Sequence, residues 1–202
     1  MQRHYRLTPL EHWVEDMYKR IHITQPSQLD ILEIAQRLNI WVYFMEMGSQ
    51  AIDRNGVYSI CVDRRITPQE QWEDFLHELC HVLRHSGNQV EMSEDFMDKQ
   101  ELEANTFQLY AAIPYSMFRQ LELPQTQQEI IDLIATEFRV THALAQRRLE
   151  QIQRRVLQGI LDQEVRNKFN SDMQKYDAAN WSASTHIIMN QLSDQLRRKG
   201  AN

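Results

Sequence analysis

The stretch His77-Glu78-Leu79-Cys80-His81 holds the residue types and spacing in this sequence that can do chemistry. Two imidazoles four positions apart lie on one face of an α-helix, so both can reach a single ion. A zinc site of hydrolytic type takes three protein ligands and leaves a position for water or substrate. Zinc lowers the pKa of a bound water to about 7, and Glu78, beside the first histidine, is placed to take that proton. The alternative is a helix whose histidines are satisfied by hydrogen bonds alone. Burying two histidines and a glutamate without a metal is costly, so the pattern favours metal-assisted hydrolysis.

A third ligand must come from elsewhere. Arg84 and Gly87 stand where an all-histidine set of this type would place a glycine and a third histidine. A carboxylate from a second helix is the other arrangement. KQELEANTFQLYAAIP (99–114) offers Glu101 and Glu103, with Asn105 four residues after Glu101. Either Glu101 or Asn105 can bind the metal while the other hydrogen-bonds a ligand histidine. Glu103 points about 200° away from Glu101 on a helix, so only one of the two glutamates can be a primary ligand. His85 continues the i+4 series and can orient a ligand, support an oxyanion, or simply suit the end of a helix. Tyr110 and Tyr115 are candidate donors to a tetrahedral intermediate, with packing as the plainer role.

These residues need elements to position them. Thr67, Pro68 and Glu70 mark a helix start. That helix runs through the histidines toward Gly87, burying Trp72, Phe75, Leu76, Leu79, Val82 and Leu83. A second helix over about 99–112 ends at Pro114. Residues 40–47 and 56–63 read as strands, and GSQAIDRNG between them as a turn-rich connection. An extended substrate can add to an exposed edge of the strand holding Tyr58. Further helices are expected over Leu10–Ile23 and over Leu29–Leu38, the second capped by Ser27 and ended by Asn39.

HELCHVLRH, followed some twenty residues later by ELEANTF and then IP, resembles the ImmA/IrrE family of metallopeptidases. The preceding GVYSICVDRRITPQEQWEDF is similar to the family's strand, turn and helix. The likeness covers about residues 28–120 and weakly reaches 150. It implies one zinc per chain held by His77, His81 and Glu101, with Glu78 as general base. It also implies a cytoplasmic endopeptidase that cleaves a repressor, a helix-turn-helix protein of a phage or mobile element. Cys80 stands where the family carries glycine or alanine. A buried thiol there is inert.

The expected fold class is α+β: a mostly helical, zincin-like metallopeptidase core over 1–122 with a small β-sheet, plus a helical C-terminal region over 123–202. LPQTQQ (123–128) marks the boundary. Within the second region, residues 129–155 are similar to a helix-turn-helix, with Thr141 as a cap and Arg139, Arg147, Arg148, Arg154 and Arg155 against one acid, Glu150. DNA binding is the alternative this raises. The simpler reading is a packed helix pair coated by arginines. In 185–198, Ile188, Leu192 and Leu196 can dock on the body or on a partner helix, and RRKGAN is expected to fray. A non-catalytic regulator that binds a repressor is a further alternative.

Bulk properties fit these readings. The 202 residues carry a net charge of −6, which argues against a protein devoted to nucleic acid. Two cysteines, Cys61 and Cys80, make no disulfide framework and suit a reducing cytoplasm. The N-terminus lacks a signal-peptide pattern, and no apolar run approaches the ~18 residues of a membrane span.

Overall fold

The computed structural model describes residues 4–54, 56–85, 93–175 and 181–199. Helix α1 (Pro9–Arg20) opens on Thr8, whose side chain accepts from the Glu11 amide while Glu11 returns a bond to the Thr8 amide. It buries Val14, Met17 and Tyr18. Pro26–Gln28 forms a 3-10 turn, so Ser27 is not a helix cap. That role falls to Asp30, which accepts from Leu32 and Glu33 at the start of α2 (Ile31–Leu38). Asn39 ends α2 in the left-handed region, at φ 57°, which asparagine tolerates.

Three strands follow: β1 (Trp41–Met45), β2 (Gln50–Arg54) and β3 (Val57–Asp63). Their order is β1-β3-β2, with β1 parallel to β3 (Trp41 opposite Ser59) and β2 antiparallel to it (Ala51 opposite Ile60). The strand β2 lies inside the stretch expected to be only turn. Its polar residues conceal it, because an edge strand has little to bury. Gly56 supplies the φ of +83° that the β2–β3 turn requires, and its amide donates to Asp53 Oδ1 at 2.9 Å. The strand holding Tyr58 is central and paired on both sides, so the expected substrate edge along 56–62 does not exist there. The free edges belong to β1 and β2.

Ile60 and Val62 are fully buried beneath α3 (Pro68–Arg84). Thr67 and Glu70 form a second capping box at its start. The expected stop near Gly87 falls outside the described residues. α3 also packs along α4 (Glu94–Ala112), which begins five residues earlier than the sequence suggests. Then come α5 (Tyr115–Phe118), α6 (Gln127–Phe138), α7 (His142–Lys175) and α8 (Ala183–Lys199). The Leu144 amide donates to Thr141 Oγ at 3.2 Å, which makes Thr141 the cap of α7.

One apolar cluster runs from Val14 and Ile34 through Phe75 and Phe107 to Ile134, Leu149 and Ile152. The α6–α7 pair is thus packed on the body, and its arginines do not all coat a surface. Arg148 is 0% exposed, 3.0 Å from Glu11 as an ion pair, and donates to the Ile113 carbonyl and the Tyr5 hydroxyl. Arg155 reaches Glu11 and the Tyr110 hydroxyl, and Arg139 donates to the Leu29 carbonyl. Tyr110 is further held by Gln151, and Tyr115 stacks on Tyr5. Tyr110 thus ties α4 to α7, and Tyr115 holds the stretch that leads into α1. α8 leaves Ile188, Leu192 and Leu196 exposed. Among the described residues no helix is long and apolar enough to cross a membrane.

Candidate metal centre

Burial of Phe75, Leu76 and Leu79 fixes the rotation of α3, and this rotation turns His77 and His81 toward α4. Their Nε2 atoms lie 3.3 Å apart. Glu101 comes from α4 and closes a triangle, with Oε2 at 3.2 Å from His77 Nε2 and Oε1 at 3.3 Å from His81 Nε2. Ligands about 2.1 Å from a tetrahedral zinc ion stand roughly 3.4 Å from each other. The observed edges match that spacing, and the donor set of two imidazoles and one carboxylate suits zinc. Among the described residues this is the one His/Cys/Asp/Glu group with metal-binding geometry.

His81 is buried and His77 partly so. Burial, helped by His77 and His85, holds the His81 pKa below its ordinary value against the pull of Glu101. The neutral imidazole, which is the ligating form, is thereby favoured.

Glu78 faces the sheet edge. The Ala51 amide of β2 donates to its Oε2 at 2.7 Å. Burial raises the Glu78 pKa, Glu101 and Asp74 push the same way, and His77 and the Ala51 amide oppose them. A carboxylate raised in this manner is better matched to proton transfer near neutral pH. The β1–β2 connection is fixed beneath it: Ser49 donates to Asp74 Oδ2 at 2.6 Å and accepts from the Asp63 amide at 3.0 Å. Strand β2 thus matters to the site, and its signal was the Asn55-Gly56 hairpin pair.

The remaining candidates sit around this centre. Asn105 donates to the Glu101 backbone carbonyl at 2.8 Å. Glu103 lies outside the triangle, bonded to Arg84 and 3.6 Å from His85. His85 contacts His81 ring to ring, Nδ1 to Nδ1, at 2.9 Å. The Cys80 thiol is fully buried, and burial, with the Glu103 carboxylate, pushes its pKa up to about 12, so it stays protonated and inert.

Comparison with known proteins places the chain in a family. The family model of the IrrE N-terminal-like domain, a peptidase family, matches residues 35–150 and so takes in the site together with α6 and the start of α7. The phage-like element PBSX protein XkdA of Bacillus subtilis (strain 168) is 44% identical over 149 residues, covering 74% of this chain and 75% of that protein. "Uncharacterized protein YqaB" of the same organism is 37% identical over 161 residues, covering 80% and 94%. With a family match over more than half its length and relatives this similar, the chain belongs to the ImmA/IrrE peptidase family.

Proposed function

We propose that this protein is a zinc-dependent endopeptidase that cleaves a regulatory protein, a helix-turn-helix repressor of a phage-type or mobile element. The triangle of His77, His81 and Glu101, with the Glu78 carboxylate beside it, carries the reading. The phage-like element named for the XkdA relative supports the setting. His77, His81 and Glu101 hold one zinc per chain. When bound, zinc supplies Lewis acidity toward a peptide carbonyl and a water of lowered pKa. Glu78 takes the proton of the attacking water and later hands it to the leaving amine. The Ala51 amide steadies Glu78, and the outer edge of β2 offers main-chain groups to an extended peptide. Residues 1–122 carry the chemistry, and in the helical region over 123–202 it is α6 and the first half of α7 that brace on them.

The DNA-binding alternative loses support in the fold. Arg139, Arg148 and Arg155 are engaged with groups of the chain itself, which leaves Arg147 and Arg154 of the five to meet a phosphate backbone. The test is cleavage. A host lysate is incubated with the zinc-loaded protein or its Glu78→Gln variant, and newly formed N-termini are labelled and sequenced. The expected result is a new N-terminus within a helix-turn-helix protein, present with the wild type alone. Identical patterns from the two proteins, with zinc bound in both, defeat the peptidase reading and favour a non-catalytic repressor-binding regulator.

A further inference from the structure

His81 turns Nε2 into the triangle, and its other ring nitrogen points the opposite way, toward His85. The two Nδ1 atoms are 2.9 Å apart. A neutral imidazole that ligates through Nε2 carries its proton on Nδ1. His81 is then the donor of this contact and His85 the acceptor. His85 must in turn carry its proton on Nε2. That atom is buried and lacks a hydrogen bond, and it faces Glu103 Oε2 at 3.6 Å. The Glu103 carboxylate is engaged through its other oxygen by Arg84 Nε at 2.5 Å. The Arg84 guanidinium lies over the Trp13 ring, 5.0 Å from its centroid. A continuous line therefore runs from α1 through Arg84, Glu103 and His85 to the ligand His81.

Resting on the zinc reading above, we infer that His85 and Glu103 are positioning residues for the metal. Glu103 fixes the tautomer of His85, and His85 fixes the tautomer and ring plane of His81. Ligand histidines almost always donate their second N–H to a carboxylate, carbonyl or water. Here an imidazole stands between ligand and carboxylate. The buried, unpartnered Nε2 of His85 is the observation a mere salt bridge between Arg84 and Glu103 leaves unexplained. Glu103 is about one-third exposed and has the freedom to close the remaining gap. This also gives the two glutamates of α4 separate duties: Glu101 meets the ring nitrogens directly, and Glu103 acts through His85.

The test uses the full chain, stripped of metal and titrated with zinc against a chromophoric chelator. His85→Leu and Glu103→Gln are expected to weaken zinc binding roughly 10–100-fold. His85→Asn, whose side-chain oxygen offers an acceptor near the place of Nδ1, is expected to recover most of that loss. Equal weakening by His85→Leu and His85→Asn, or affinities of His85→Leu and Glu103→Gln within twofold of wild type, overturns the inference. Nitrogen-15 imidazole spectra of the wild-type zinc protein give a second measurement that requires no variant. They should show His85 with its proton on Nε2, and a proton on Nδ1 instead overturns the relay. A wild type that takes up no zinc removes the metal reading itself, whereas a wild type that binds zinc while the variants match it removes the relay alone.

Discussion

The Ala51 amide donates to Glu78 Oε2 at 2.7 Å, joining the outer edge of β2 to the helix of the histidines. This N–H points out of the ladder with β3, so proline at position 51 deletes the donor without deleting a sheet bond. Hydrogen bonds to charged groups contribute about 1.5–3 kcal/mol. Ala51→Pro is expected to lower the cleavage rate about tenfold or more, with zinc stoichiometry unchanged. An unaltered rate denies Ala51 a part in holding the base.

Glu78→Gln keeps an acceptor for the Ala51 amide and removes the base. The cleavage rate should fall by roughly 10²–10⁴-fold, while zinc content by plasma mass spectrometry stays at that of the wild type. Loss of zinc together with activity means that Glu78 is itself needed for the metal.

Metal content separates the two glutamates of α4. Protein purified without added metal should hold about one zinc per chain, and Glu101→Ala should hold none. A loss confined to Glu103→Ala moves the ligand role to Glu103. Zinc at one hundred times its Kd adds about 2.7 kcal/mol to stability, which for a chain of this size raises Tm by roughly 5–10 °C. No rise in wild type leaves the triangle without a metal.

The sequence makes much of this legible, and the reasons are physical. α3 announces itself through Thr67, Pro68 and Glu70, and its apolar stripe fixes which way the histidines face. Strand β2 is five residues of mostly polar character on a sheet edge, where burial leaves no alternating pattern to read. Arg148 looks like one more surface arginine, because a helix pattern cannot show that a buried glutamate 137 positions earlier awaits it. His85 and Glu103 were each visible as residues, but their partnership depends on how α3 and α4 pack.

Breaking the Arg148–Glu11 pair strands a charge. Arg148 is fully buried and Glu11 nearly so. Removing one member of such a pair costs about 3–5 kcal/mol. Arg148→Met should therefore lower Tm by roughly 10 °C in a calorimetric scan, with zinc affinity little changed. A Tm within two or three degrees of wild type indicates that Glu11 finds enough in Arg155, Tyr5 and Thr8.

Glu11 also gives the fold an acid limit. Burial alone pushes its pKa up, but Arg148, the Tyr5 hydroxyl, the Thr8 amide and Arg155 together bring it below the ordinary value of 4.5. A carboxyl whose folded pKa is depressed adds stability above its unfolded pKa and loses it as pH falls through the folded one. Chemical unfolding at a series of pH values should show stability declining below about pH 4.5, with a smaller decline in Glu11→Gln. Parallel declines in the two proteins assign the acid sensitivity to other carboxylates.

Residues near the amino end and the middle of α7 are built to each other's measure. The Tyr5 hydroxyl accepts from Arg148, Glu11 answers Arg148, and a side chain on Gly159 would collide with the His4 carbonyl. Recombination between relatives meets this constraint directly. A crossover at residue 123 that imports a foreign α7 is viable only if the newcomer brings arginine at 148 and glycine at 159, or if the stretch around Tyr5 and Glu11 travels with it. The heritable unit is then set by matched partners far apart in sequence, and the long helix is passed on together with the stretch around Tyr5 and Glu11.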